Sequence, residues 1–226
     1  MKRQANELAR TLDRGIQVLE LVAANPRGMT MTEIAAALGL HRTIVHRLLR
    51  TLAAHKYVSC DVHKRYQPAV GLIHLAEAVN QDLRSVARPL LEHLADRVGA
   101  TANIAIPDGD QVIVLSLAQP RRADVHVAYR AGQSHPLDRG SAGLAILAGR
   151  PPAPRERAAI TRARSVGYAV THEEVIPGTW GVSAPFGSPG TWTEGSVGVS
   201  LFTNEDIDEI GGEVCATASE INQRLR

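Results

Sequence analysis

The 226-residue sequence predicts an α+β chain in two parts, and three observations predict it. First, a capped short helix, a glycine turn, a basic amphipathic helix and a small basic hairpin follow one another between Met29 and Tyr66. Second, the strand patterns behind them come in no strand–helix–strand repeat, which favours an antiparallel sheet flanked by helices. Third, charge divides between the two. Residues 1–70 hold 11 Lys/Arg against 5 Asp/Glu, a formal +6, and the remainder holds 14 against 18, a formal −4, which together give +2. The expected divisions are a head over residues 1–70, a connecting helix over 71–80 and a body over 81–226.

The head opens with a helix whose Leu12, Ile16, Leu19 and Val22 share one face, ended by Asn25-Pro26-Arg27-Gly28. Thr30 and Glu33 then stand in the Thr-x-x-Glu relation of a capping box, ahead of Ile34, Ala35 and Leu38 on a buried face. Gly39-Leu40 breaks this helix, and the next begins near His41 or Arg42. It carries Ile44 or Val45, Leu48, Leu49 and Leu52 inward and leaves Arg42, Thr43, His46, Arg47 and Arg50 outside. Lys56–Cys60, Asp61–Lys64 and Arg65–Gln67 read as strand, turn and strand, with His63, Lys64 and Arg65 at the tip.

Two short helices joined by a tight turn, the second rich in long basic side chains, have the geometry of a helix-turn-helix. Such a second helix fits a DNA major groove about 12 Å wide. The guanidinium fork of Arg42, Arg47 or Arg50 can pair with a guanine edge or a phosphate. The hairpin tip suits a wing on the backbone or in the minor groove. A helical domain with a merely solvated basic face shares the helix pattern, but not the full order of elements. The expected partner is a double-stranded DNA operator, and a basic head on a mildly acidic body is the charge distribution such a partner needs.

In the connector, Leu72, Leu75 and Val79 form an apolar stripe suited to a second chain or to the head itself. The body begins with a helix from about Asp82 to Val98, carrying Val86, Leu90, Leu91 and Leu94 inward; Pro89 should bend or break it. Thr101–Ile106 and Gln111–Leu117 read as a hairpin around the Pro107-Asp108-Gly109-Asp110 turn. Val125–Tyr129 reads as a further strand, and helices are expected over Ser141–Leu147 and Pro154–Val166. Tyr168–Val170, Trp180–Pro185 and Val197–Leu201 read as strands. A last helix runs from Asn204 to about Arg224, with Ile207, Ile210, Val214 and Ile221 inward.

With 44% hydrophobic and 21% charged residues, the composition is that of a folded globular chain, and the scarcity of aromatics means its cores are built from Leu, Val, Ile and Ala. No signal peptide and no apolar run of spanning length is seen, so the expectation is a cytoplasmic protein without a membrane partner. Cys60 and Cys215 fit free thiols there.

Taken together, these segments resemble the IclR family of bacterial transcriptional regulators along essentially the whole chain. Residues 11–70 are similar to its winged helix-turn-helix, above all Thr11–Leu19 and Gly39–Leu49. His135-Pro136-Leu137, Ser141-Ala142-Gly143, Gly167–Val170 and Trp180–Pro185 resemble pieces of its GAF-like effector-binding domain. The family has Pro, Lys, Ser or Thr, and Thr where this chain has His41, Arg42, Thr43 and Ile44; its usual glycine before the wing's Tyr-Val is Lys56. The wing exit is Gln67-Pro68-Ala69, and in the body Leu137-Asp138-Arg139 and Gly143-Leu144 replace the common residues. The resemblance implies a ligand-responsive DNA-binding regulator, assembled as a homodimer or a dimer of dimers.

The resemblance also places the ligand between the sheet and the Ser141–Leu147 helix. Gly140, Ser141, Ala142 and Gly143 would leave N–H groups open at a helix start, where a carboxylate binds well, so a small organic acid is the expected effector. Asn103, Ser183 and Ser200 could complete the site. The same glycines and serine also serve as an ordinary turn and cap. His135, Asp138 and His172 are the one set of residues with metal donors in suitable types, but loop histidines are more often solvated, and neither a metal nor a cofactor is expected. Arg155, Arg157, Arg162 and Arg164 read as a solvated helix face. No GxSxG, HExxH, Walker or Rossmann sequence appears, so no enzyme is expected. The alternative is a small-molecule-binding protein or an enzyme with an accessory helical domain; salt-dependent duplex binding separates the two.

Overall fold

A computed structural model describes residues 8–122, 127, 130–191, 194–203 and 205–225. Its contacts gather into two units, Met1–Val79 and Asn80–Arg226.

In the first unit, α1 (Arg10–Ala23) leads to β1 (Met29–Thr30), α2 (Met31–Leu38) and α3 (Arg42–Ala54). The hairpin β2 (Val58–Cys60) and β3 (Arg65–Pro68) follows, then α4 (Gly71–Glu77). The capping box forms as expected: Glu33 N–H donates to Thr30 Oγ1, and Thr30 N–H donates to Glu33 Oε2 at 2.7 Å. Gly39 ends α2 in the left-handed conformation that a residue without Cβ adopts at little cost. Val18, Val22, Ile34, Ala35, Val45, Leu48, Leu49 and Val58 form one buried core.

Two expectations for this unit change. The buried face of α1 is Val18 and Val22 with Leu19 beside them, whereas Leu12 and Ile16 are exposed. The hairpin is also joined by β1 into a three-stranded sheet of order β1-β3-β2, with Met29 opposite Tyr66 and Thr30 opposite Arg65. This pairing ties the start of α2 to the wing. Lys56, where the resembled family has glycine, adopts φ 60°; the backbone there keeps the glycine conformation without the glycine. Gly71 packs so closely beside it that a Cβ would lie 2.6 Å from Lys56 O.

The second unit consists of α5 (Gln81–Val98), β4 (Thr101–Asp108), β5 (Gln111–Ala118), β6 (Ser134–Pro136), α6 (Gly140–Gly149), α7 (Ala158–Val166), β7 (Ala169–His172), β8 (Trp180–Phe186), β9 (Gly195–Leu201) and α8 (Ile207–Arg224). The strands form one antiparallel sheet of order β6-β5-β4-β9-β8-β7. Helices α5 and α8 pack on one face through Leu83, Leu91, Leu94, Val214 and Ile221 against Ile104, Val182 and Val199. On the other face lies α6, overlaid by α7 through Leu144, Ala145, Ala148, Ile160 and Ala163.

Helix α5 is continuous through Pro89, whose ring lies on the exposed side, so the expected break does not occur. The turn tightens to Gly109-Asp110, because Pro107 and Asp108 belong to β4. Residues 154–157 are not helical, and α7 begins only at Ala158. Strand β6 forms where the sequence predicts no strand. Of the strand expected over Val125–Tyr129, only Val127 lies within the described residues, and Asn204 lies outside them.

Candidate nucleic-acid interface and ligand chamber

The sidedness of α3 comes from its core residues. Val45, Leu48 and Leu49 are buried, which turns Arg42, Thr43, His46, Arg47 and Arg50 outward, all exposed. Ile44 is also exposed, so the apolar side chain that stands at a hydroxyl position of the resembled family lies outside the core. His41 caps the helix: its Nδ1 accepts the Thr43 N–H at 3.4 Å and lies 3.1 Å from Thr43 Oγ1. This fixes the first turn, where groove-reading side chains sit.

Asp61 builds the wing. Its Oδ1 accepts the N–H groups of His63 at 2.9 Å and Arg65 at 2.8 Å, and Lys64 takes the left-handed conformation with φ 60°. Val62, His63 and Lys64 are exposed at the tip. Arg65 is placed differently from the tip position expected of it. It lies on β3, half-buried, and its Nη1 donates to Gly28 O at 2.9 Å and to Glu33 Oε2 at 3.4 Å. One guanidinium thus joins the wing to the capping box of α2. The Thr30 hydrogen bonds, followed by the Arg65 charge, hold the Glu33 carboxyl below its usual range.

In the second unit, β4, β8 and β9 alternate apolar residues toward α5 and α8 with small or polar ones toward α6. Ile104, Val182 and Val199 point one way; Asn103, Ser183 and Ser200 line a chamber on the other side. Residues on both faces are buried because helices cover both. A buried polar strand face needs hydrogen-bond partners. Ser141 and Ser183 supply one pair, their Oγ atoms 2.8 Å apart. Asn103, Thr171 and Ser200 line the same chamber, and their side chains make no hydrogen bond within the described residues.

This chamber measures about 30 Å³. It brings together Asn103, Gly140, Ser141, Ala142, Ser183 and Ser200 from the sequence-derived set. Gly143 stands apart, packed so tightly on the chain that a Cβ would lie 2.2 Å from Leu137 O. His135, Thr171, Glu174, Val175, Thr179, Trp180 and Gly181 complete the lining.

The helix start is not open in the way the sequence suggested. Gly140 N–H donates to Glu174 Oε2 at 2.9 Å, and Arg157 grips the same carboxylate with Nη1–Oε2 at 3.1 Å and Nη2–Oε1 at 2.6 Å. Arg157 Nη1 also donates to Asp138 O at 2.6 Å. The Arg157 hydrogen bonds, then the Gly140 N–H, hold the Glu174 carboxyl below its usual range against the opposing effect of burial. Of the arginines expected on a solvated face, Arg157 is exposed and paired, whereas Arg164 is drawn in. Arg164 pairs with Glu156 and donates to Leu147 O and Arg150 O, fastening α7 to the end of α6.

Sequence reading missed Glu174 and Arg157 because their partners lie 34 and 17 residues away, beyond any local periodicity. No group of three or more metal-donor side chains gathers among the described residues. His135 instead has Nδ1 3.0 Å from Pro136 O, and His172 stacks on Trp180 at 4.3 Å. No helix among the described residues is long and apolar enough to cross a membrane.

Two family models match the chain. One is described as the IclR helix-turn-helix domain, over residues 11–61, and the other as bacterial transcriptional regulator IclR C-terminal, over residues 75–159. The HTH-type transcriptional regulator BhcR of Paracoccus denitrificans is 30% identical in an alignment of 201 residues that covers 78% of this chain and 71% of its own length. The HTH-type transcriptional regulator XynR of Escherichia coli is 26% identical over 62% of this chain, which spans only 57% of that relative's length. An IclR homologue from Microbacterium hydrocarbonoxydans, solved in complex with 4-hydroxybenzoate, has the same fold. It superposes with a TM-score of 0.82 at 20% identity, over 96% of this chain and 99% of that one.

Proposed function

The chain belongs to the IclR family of bacterial transcriptional regulators, and from that premise we propose that it binds an operator duplex through α3 and the wing and releases or grips it when a small organic acid fills the α6 chamber. The observation that carries the DNA reading is the outward face of α3, where Arg42, Thr43, His46, Arg47 and Arg50 are exposed opposite a closed apolar core. Arg47 and Arg42 suit guanine edges, Ile44 suits a thymine methyl group, and Lys64 and His63 suit the phosphates beside the groove.

The acid reading is supported by three unpartnered polar side chains in the chamber and by a helix start already holding one carboxylate. Small acids reach such a protein in the cytoplasm, where its operator also lies. A domain division at about residue 70, a linker over 71–80 and an effector domain from 81 fit this division of labour. Two heads on a homodimer, or on a dimer of dimers, would engage inverted half-sites about one helical turn of roughly 34–36 Å apart. Of the expected stripe, Leu75 and Val79 are exposed and Leu72 is half-buried; with the exposed Ile73 they offer apolar surface for that assembly.

The test begins with a duplex selected from a random pool. Affinity should fall steeply between low and physiological salt, and carboxylic acids, including short aliphatic ones and 4-hydroxybenzoate, should change it. A tenfold change corresponds to about 1.4 kcal/mol of differential affinity between the two DNA-binding arrangements. A chain that selects no duplex refutes the DNA reading, and an operator affinity that no acid alters refutes the acid reading.

A further inference from the structure

We infer that a carboxylate ligand enters the α6 chamber by displacing Glu174 from the α6 N-terminus, Arg157 passing from the Glu174 carboxylate to that of the ligand. This rests on the reading of the chamber as an acid site and adds how the site is kept closed and what recognises the acid.

The seat for an anion is built and filled. Glu174 occupies the Gly140 N–H and both terminal nitrogens of Arg157, the three donors that a free carboxylate would use. A chamber of about 30 Å³ has the room of roughly one water molecule, so even a short acid needs the space that Glu174 and Val175 now take. Deeper in the chamber, Asn103, Thr171 and Ser200 are at most 8% exposed and await polar partners. Those groups line the chamber, and a ligand carrying polar atoms beyond its carboxylate would meet them.

The segment that bears Glu174 holds its own shape. Between β7 and β8, Glu173 N–H donates to Thr179 O at 2.8 Å, Gly178 N–H to Glu173 Oε1 at 2.9 Å and Thr179 Oγ1 to Ile176 O at 2.7 Å. It can therefore move as a unit while these bonds persist. The Glu174 carboxylate and the Val175 methyl, seated on the bare Cα of Gly140, are its contacts with the start of α6. Asp138 O holds Arg157 from the other side, so the guanidinium stays at the seat whichever carboxylate faces it.

Exchange of one carboxylate for another leaves the charge at the helix start unchanged, and Glu174 leaves toward water. A neutral ligand of the same shape would leave the exposed Arg157 guanidinium to water and forgo its two charge-assisted hydrogen bonds. The chamber thus selects acids over their amides, and Glu174 sets the threshold concentration.

The experiment titrates the full chain with acetate and benzoate, and with acetamide and benzamide, by calorimetry and by amide chemical shifts. It compares the parent protein with Glu174→Gln, Arg157→Met and the double variant. Both acids should bind the parent and both amides should not. Glu174→Gln keeps an acceptor for Gly140 but loses the charge that competes for Arg157, so acid affinity should rise tenfold or more. Arg157→Met should lower it at least tenfold, and the double variant should lose the gain. Acids that bind Glu174→Gln no more tightly than the parent overturn the displacement while leaving the acid site standing. Binding of no acid by either protein overturns both. Should Arg157→Met fail to fold, the comparison of Glu174→Gln with the parent decides alone.

Discussion

Replacement of Gly181 by alanine puts one methyl group into the α6 chamber, against Ser141 and Thr171. The new Cβ would lie 2.5 Å from Ser141 Oγ, 3.3 Å from Ser141 Cβ and 3.4 Å from Thr171 Oγ1. The first contact cannot persist, so Ser141 must turn and the 2.8 Å bond to Ser183 is lost. A buried hydrogen bond contributes roughly 1 kcal/mol and overpacking costs about 1–3 kcal/mol. Relief of glycine's entropy in a strand returns about 0.5–1 kcal/mol. The net cost of about 1–3 kcal/mol lowers the melting temperature of a unit this size by roughly 2–12 °C without unfolding it. The methyl projects among the Ser141 and Thr171 side chains that line the chamber, so the acid response of operator binding should disappear while ligand-free affinity stays. Calorimetric melting and operator titration with and without acid measure both parts. A variant as stable as the parent, with its acid response intact, would refute this account of the chamber.

Arg47→Ala should weaken operator binding by roughly 1–3 kcal/mol and relax preference at one base pair if the guanidinium reads a base, whereas uniform weakening across duplexes marks a phosphate contact; selection on randomised half-sites distinguishes the two, and no loss on any duplex removes Arg47 from the interface. Lys56→Gly should stabilise the head by about 0.5–1 kcal/mol, since a left-handed residue with a Cβ costs about 1–2 kcal/mol and glycine's extra entropy offsets only part of that; a fall in urea midpoint would contradict this. Glu156 has its pKa lowered from 4.5 to about 2, chiefly by its hydrogen bond from Arg164. A lowered folded-state pKa gives stability that is complete above the unfolded value and lost as pH falls toward the folded one. Thermal stability should therefore drop as pH falls from 4.5 toward 2, and Glu156→Gln should flatten that drop; an equally steep fall in the variant would assign it to other groups.

The elements legible in the sequence are those whose cause is local. Thr30 and Glu33 are three residues apart, and their capping box forms because both partners sit on one helical turn. The outward basic face of α3 follows from the spacing of Val45, Leu48 and Leu49. Ser-Val-Gly-Val-Ser-Leu over residues 196–201 announces β9 by its alternation, and the structure shows that both its faces are covered. The face of α1 was misread because Leu12 and Ile16 satisfy the helical period as well as Val18 and Val22 do, and only the positions of α2 and α3 decide which stripe is buried. Residues 154–157 were read as helix because nothing local tells an arginine that extends a helix from one that leaves it to reach a carboxylate.

By itself the sequence determined the order of the elements, the outward residues of α3, the basic head and the strands that would meet α6, because periodicity, capping and turn chemistry act over a few residues. Only the tertiary structure decided that β1 braces the wing, that Arg65 is drawn back to Glu33, and that Glu174, paired with Arg157, accepts the Gly140 N–H at the start of α6. Those contacts join residues 17 to 37 positions apart. Their partners are selected by where the packed sheet and helices bring the chain together, and no pattern along the chain specifies that.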